Sequence, residues 1–335
     1  MGKKYPTKRA IAQESLESEH KQKVPVELIN IPWIDIHNHA HTITWEEREQ
    51  FALMGCTASV MMAYAIYYAP YRPVSPDDVR FLWDQALFRA DQIERSHFYE
   101  TKIGVGIHTA TPVENYEDLI EVMPQYCELD EVVAIGEIGI TNVQHVEQWD
   151  IETQRDVNRK QMEIAAKYDL PVIIHTPAHS DVSPLIGKDG GPAYYEVNQQ
   201  LRKAPILSSD EPDLEAVKID LEVASDAGLP EENLVFSHAD MQKAPFILEE
   251  TDANVSFTMT YPWVLDVDAR DVAAAIEEYG SDRVLMETDR ANIIRGNVKQ
   301  LKRAILDLYR LGVDIEDIRK VIYENPSELL DLSQQ

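Results

Sequence analysis

Residues 272–289 read VAAAIEEYGSDRVLMETD. Val272, Ala273, Ile276 and Tyr279 recur at helical spacing, and Gly280 then supplies a stop. The short apolar run that follows, at about 283–287, predicts a strand ending in Glu287-Thr288-Asp289. Helical spacing resumes with Val298, Leu301, Ile305 and Leu308 before Gly312. The same alternation runs through the chain. Further strands are predicted at about 33–37, 56–63, 102–107, 132–137, 171–175, 233–237 and 253–257, separated by amphipathic helical stretches. Asp210 and Pro212 open one of these in an order that suits a cap and a first turn. Eight strands alternating with helices is the count that closes a (β/α)8 TIM barrel, an α/β fold. An open doubly wound sheet is the rival, but no strand is followed by the glycine fingerprint of a dinucleotide site.

Residues 1–30 precede the first strand and read as a polar helical arm, leaving 31–335 for the barrel. Residues 177–209, rich in Pro, Gly and Asp, read as a loop inserted above the carboxyl-terminal face. The chain of 335 residues carries 31 Lys+Arg against 59 Asp+Glu, a formal charge of −28. Six cations and three carboxylates give residues 1–23 a local +3, so residues 24–335 carry −31. This excludes affinity built on a basic face that neutralises phosphates, and no stable nucleic-acid complex is expected at low salt. Acidity alone suits disorder, but 44% hydrophobic residues are enough for a large core. The acidity itself is expected to reflect a halophilic, salt-adapted surface. No apolar run approaches the roughly 18–20 residues of a membrane span. The opening Met1-Gly2-Lys3-Lys4-Tyr5-Pro6 lacks a signal peptide's apolar segment, and Pro6 stands where myristoylation wants Ser or Thr. Two cysteines, Cys56 and Cys127, are too few for a disulfide scaffold; they are expected to be buried, in a cytoplasmic protein.

The chemistry lies at the strand ends. His37 and His39 form a His-x-His pair closing the first strand, and alternation puts both on one face. Asp35 lies two residues earlier on that face, placed to fix a ligand's tautomer. Glu137 ends the fourth strand in Ala134-Ile135-Gly136-Glu137, where burial without a partner would be costly. His175 ends the fifth strand, His238 the sixth, and Asp289 follows the eighth. Any one of these reads equally as a polar group capping a loop. Together, six residues of ligand type stand at the carboxyl ends of five strands, the face on which barrel enzymes place their sites. Converging imidazoles and carboxylates call for a divalent metal, or two, between them.

This ordered set resembles the ligands of the TatD-related branch of the metal-dependent amidohydrolase superfamily. Gly106-Ile107-His108 is similar to that family's Gly-Ile-His turn, QRDVNRKQMEIAAKYDLPVIIHTP at 154–177 to its helix and fifth strand, and Asn325-Pro326-Ser327 to its terminal Asn-Pro turn. The resemblance spans about 33–330 and implies a (β/α)8 barrel with two divalent ions. His37, His39 and Asp289 would hold the first, His175 and His238 the second, with Glu137 bridging. Such a pair lowers the pKa of a shared water and polarises the scissile group, and Asp289 would take the nucleophile's proton. The donors suit Zn²⁺ or Mn²⁺, with Mg²⁺ the third option.

The implied activity is a metal-dependent hydrolase whose activated water attacks an ester or phosphoester. The expected substrate is a small molecule or a short anion, and oligomerisation is left open. A TatD-like DNase acting on DNA ends is the alternative. Against it, Ile140-Thr141-Asn142 stand where the nucleases carry an Asp and an aromatic, and Thr176-Pro177 where they often carry an Arg. The 63 residues from His175 to His238 also exceed the spacing of the compact nucleases. A third reading, a non-catalytic metal-binding accessory subunit of a biosynthetic pathway, would go with a degraded ligand set, and all six positions are filled. Within 177–209, Gly187-Lys188-Asp189-Gly190-Gly191-Pro192 lacks the spacing of a phosphate loop and reads as a turn. Tyr194 and Tyr195 either face the pocket or pack the loop down, His41 and His179 read as substrate contacts or, more simply, as solvated loop residues, and Tyr261-Pro262-Trp263 as a pocket wall or a loop packed on the rim.

Overall fold

All eight predicted strands form. The structure is a computed structural model that describes residues 24–39, 43–63, 73–109, 112–141, 149–176, 207, 211–259, 267–290 and 298–332. The strands are β1 (Trp33–Asn38), β2 (Cys56–Met62), β3 (Glu100–Val105), β4 (Val132–Ile138), β5 (Val172–His175), β6 (Leu234–Ser237), β7 (Asn254–Thr258) and β8 (Val284–Glu287). Each pairs in parallel with the next in chain order. After β1 and β2 come α1 (Trp45–Leu53) and α2 (Pro76–His97). Two short helices, α3 (Tyr116–Ile120) and α4 (Met123–Cys127), lie between β3 and β4. Next, α5 (Ile151–Tyr168), α6 (Pro212–Asp226), α7 (Ala244–Glu250), α8 (Ala269–Tyr279) and α9 (Gln300–Leu311) follow β4 to β8 in turn.

The sheet closes at its carboxyl end. The Asp289 amide donates to the His37 carbonyl at 2.9 Å, the His39 amide donates to the Arg290 carbonyl at 3.0 Å, and Asn38 bridges Arg290 in parallel. The result is a single (β/α)8 TIM barrel, and the residues that seal its seam include three of the predicted ligands, His37, His39 and Asp289. A parallel sheet between a packed interior and a ring of helices buries both faces of its strands. That is why they read as continuous apolar runs: Val284, Leu285 and Met286 are buried throughout, as are Val172, Ile173 and Ile174. The helices turn their predicted stripes inward, with Val272 and Ile276 of α8 and Leu301, Ile305 and Leu308 of α9 in the core. Gly312, at φ +93°, ends α9 in the left-handed conformation that glycine adopts without strain.

The third strand and the start of α6 differ from what the sequence predicts. The third strand begins at Glu100 and stops at Val105, because Glu100 and Thr101 pair with Ala58 and Ser59 despite their polarity. Glu211, not Asp210, holds the cap position of α6, and its side chain makes no capping bond; Pro212 takes the first turn as expected. Of the predicted arm, residues 24–30 are described and hold a single helical turn, Val26–Ile29. Of the predicted insertion only Leu207 is described, and it is buried. Cys56 and Cys127 are both buried and unbridged, as expected. Among the described residues, no helix is long and apolar enough to cross a membrane.

Candidate metal centre

The six predicted residues meet around the Glu137 carboxylate. Its Oε2 lies 3.5 Å from His37 Nε2 and 3.8 Å from His39 Nε2. Its Oε1 lies 2.7 Å from His175 Nδ1 and 3.1 Å from His238 Nε2. One oxygen thus faces the β1 pair and the other faces the imidazoles of β5 and β6. Asp289 Oδ1 completes the β1 side, at 3.2 Å from His39 Nε2 and 3.9 Å from His37 Nε2. All six are nearly buried; His175, with its side chain 17% exposed, is the most open.

Local backbone sets this convergence. Gly139 follows Glu137 at φ +135°, and a Cβ there would lie 2.7 Å from the His175 carbonyl. Glycine therefore lets the ends of β4 and β5 pass closely enough for Glu137 to meet His175. His238 and Asp289 both have left-handed backbones, φ +57° and +41°. Such conformations cost non-glycine residues on the order of 1–3 kcal/mol and recur at sites where a side chain must be aimed.

A seventh residue joins them. His108, three residues past β3, brings Nε2 to 4.0 Å from Glu137 Oε2, with its ring 4.9 Å from that of His175. Among the described residues, ligand-capable atoms lie within 4.8 Å of one another in three groups: His37, His39 and Glu137; His37, His238 and Asp289; and His108, Glu137 and His175. In the sequence Gly106-Ile107-His108 reads only as a turn similar to the family's; the structure adds His108 to the site. The available signal was a histidine just past a strand end, as for the others.

Helix α5 fixes this loop and the next. Gln161 accepts from the Ile107 amide at 2.7 Å and donates to its carbonyl at 2.9 Å. Gln154 clamps Thr141 in the same two-way manner, at 2.7 and 3.1 Å. Asn158 accepts from the Gly139 amide at 3.3 Å, and Asp220 of α6 accepts from the Ile140 amide at 3.0 Å. Asp35 differs from its expected role. It accepts from the Thr288 amide at 3.0 Å, the Thr288 hydroxyl at 2.7 Å and the Asn38 amide at 3.2 Å, so it pins the backbone beside Asp289 rather than an imidazole. Burial pushes Asp35 up to about 7 against the lowering effect of Thr288.

The donor set fits a divalent cation. His37 Nε2 is buried and makes no hydrogen bond, while two carboxylate oxygens face it at 3.5 and 3.9 Å. Two ligands at roughly 2.1 Å from a tetrahedral ion are about 3.4 Å apart, which these spacings approach. Burial opposes charge on His37, but Glu137 and Glu287 raise its pKa well above the imidazole range. Burial likewise opposes charge on Glu137, yet His37 and His175 hold it well below the usual carboxylate range. His108 is pushed down to about 3 by burial and stays neutral. Protons and a cation therefore compete for the same lone pairs. His41, His179, Tyr194, Tyr195, the Gly187–Pro192 turn and Tyr261-Pro262-Trp263 lie outside the described residues.

Comparison with known proteins gives the family and matches the fold. The profile of TatD related DNases matches residues 34–331. The chain belongs to this TatD-related family. A relative in Methanocaldococcus jannaschii, known as an uncharacterized metal-dependent hydrolase, is 23% identical over 292 residues, 87% of this chain and 97% of its own. Among solved structures, a TatD-like protein from Archaeoglobus fulgidus superposes with a TM-score of 0.60 at 20% identity, covering 90% of this chain and all of its own. The phosphotriesterase homology protein of Escherichia coli, solved with phosphate in its active site, gives 0.60 at 15% identity, covering 89% and 98%. Both share the barrel fold.

Proposed function

We propose that this TatD-related protein is a divalent-metal-dependent hydrolase that cleaves an ester or phosphoester bond in a small or short anionic substrate. The observation that carries the reading is the division of Glu137, one oxygen toward His37 and His39 and the other toward His175 and His238. A carboxylate so placed is suited to bridging two ions. On this reading His37, His39 and Asp289 hold one ion, His175 and His238 the other, and Glu137 both. Zn²⁺ or Mn²⁺ suits the mixed imidazole and carboxylate donors, and Mg²⁺ is the third option. Bound there, the metals supply a water of lowered pKa and an electrophile for the scissile group.

The chain's own groups do the rest. Asp289, held 3.2 Å from His39, takes the proton of the attacking water on a carboxylate oxygen. Neutral His108 is oriented by the Gln161 clamp on Ile107 and serves as a donor to the substrate's developing negative charge. His175, the most open imidazole, lines the approach. The buried thiols accord with a reducing, cytoplasmic setting.

The test is turnover of a phosphodiester, a phosphomonoester, a lactone and an amide after chelation and after reloading with Zn²⁺ or Mn²⁺. Metal-dependent turnover of one ester class, lost in D289A and H175A with the fold retained, supports the reading. Full activity in metal-free protein overturns it. DNase activity on DNA ends is the second reading, favoured by the family's description. Incubation with single-stranded DNA and Mg²⁺ or Mn²⁺ at high salt separates the two. The accessory-subunit reading predicts metal binding without turnover in every arm.

A further inference from the structure

Beneath the cluster, Glu287 occupies the end of β8 and is fully buried. Three hydroxyls donate to it. Ser237 of β6 and Ser256 of β7 reach Oε2 at 2.9 and 2.7 Å, and Thr258 of β7 reaches Oε1 at 2.8 Å. Strand alternation points Ser256 and Thr258 to the same side, and the register sets Thr258 directly opposite Glu287. Two of the hydroxyls also touch imidazoles: Ser237 Oγ lies 3.2 Å from His37 Nδ1, and Thr258 Oγ1 lies 2.8 Å from His238 Nδ1. Both Nδ1 atoms also face Glu287 Oε1, at 3.4 and 3.6 Å.

A hydroxyl has one proton to give. Ser237 and Thr258 give theirs to Glu287, so each can only accept from its imidazole. In the neutral ring, the form that binds a metal, the proton is therefore held on Nδ1, and Nε2, facing Glu137, is the atom that can take an ion. His37 turns Nε2 toward Glu137 Oε2 at 3.5 Å, and His238 turns Nε2 toward Oε1 at 3.1 Å. The two rings thus serve opposite halves of the centre. We infer that Glu287 is a shared positioning residue that, through the Ser237 and Thr258 hydroxyls, fixes the ligand form of one histidine in each half and so couples the loading of the two metal ions. Asp35, also buried, accepts from Thr288 and not from an imidazole, so it does not share this role.

This inference rests on the two-metal reading above, and its test separates the two. Metal-free wild-type protein, E287Q, T258V and S237A are titrated with Zn²⁺ in a calorimeter, with elemental analysis of the loaded forms. Wild-type protein is expected to take two ions. E287Q is expected to weaken both steps, each by about 10- to 100-fold. T258V, nearly isosteric and without a change of charge, is expected to weaken one step, and S237A the other. Imidazole ¹⁵N spectra of the zinc-loaded wild type are expected to show both rings protonated at Nδ1. Wild-type affinities at both steps in E287Q overturn the inference, as does a loss confined to one step. If E287Q does not fold, T258V decides: unchanged affinity at both steps overturns it. A wild-type chain that takes up no ion overturns the metal reading, and the inference with it.

Discussion

Replacing Gln161 with Met keeps roughly the volume of the side chain and removes its amide. The Ile107 amide and carbonyl, which Gln161 holds at 2.7 and 2.9 Å, are then left without that partner beside a fully buried side chain. The third Gln161 contact, to the Val157 carbonyl at 3.3 Å, lies one turn back in the same helix and matters less. Each buried backbone group stripped of its partner costs about 1–3 kcal/mol, so Q161M is expected to lose roughly 2–6 kcal/mol. In a chain of 335 residues that lowers the melting temperature by roughly 3–9 °C. Q161E, which still accepts from the Ile107 amide but cannot donate to the carbonyl, is expected to fall between. Thermal unfolding followed by circular dichroism measures both. His108 is the next residue along, so kcat is expected to fall more than stability alone explains, with the remaining folded protein still binding metal. A Q161M protein that melts within about 1 °C of wild type would refute the idea that this helix clamps the site's loop.

Asp220 gives a prediction with a definite sign. Burial raises it from 3.8 to about 7, against the lowering effects of the Ile140 amide and Asn158. Between about pH 4 and 7 the unfolded chain has lost this proton while the folded one keeps it, so stability falls as pH rises through that window, by roughly 4 kcal/mol at most. D220N cannot ionise, so the melting-temperature difference between variant and wild type should move in the variant's favour from about pH 5 to pH 8; a constant offset would contradict it. The charge of −28 predicts a melting temperature that climbs with KCl as like charges are screened, and equal stability in dilute and multimolar salt would remove the salt-adapted reading.

The barrel was legible because parallel strands buried on both faces are mostly apolar, and β4, β5 and β8 are short apolar runs with a polar group at or beside the end. The site was legible for the opposite reason: His37, Glu137, His175, His238 and Asp289 interrupt or end those runs with groups that burial would penalise. What supports them was not. Gln154, Asn158 and Gln161 recur at i, i+4 and i+7, which in a sequence is the mark of a wet helical face, yet all three are fully buried because loop backbones need their amides. The partners of Glu287 lie 29 to 50 residues away on other strands, so no spacing links them. Asp35 was assigned to an imidazole because it shares a strand with His37; the barrel seam instead brings Thr288 to it, across 253 residues.

Elemental analysis of the purified wild-type chain alongside E137A tests the central claim most directly. The account predicts about two divalent ions per wild-type chain and the loss of both in E137A, because one carboxylate serves each half of the centre. A wild-type chain that is metal-free as isolated and stays so after incubation with Zn²⁺ or Mn²⁺ would contradict it, as would an E137A variant that keeps both ions.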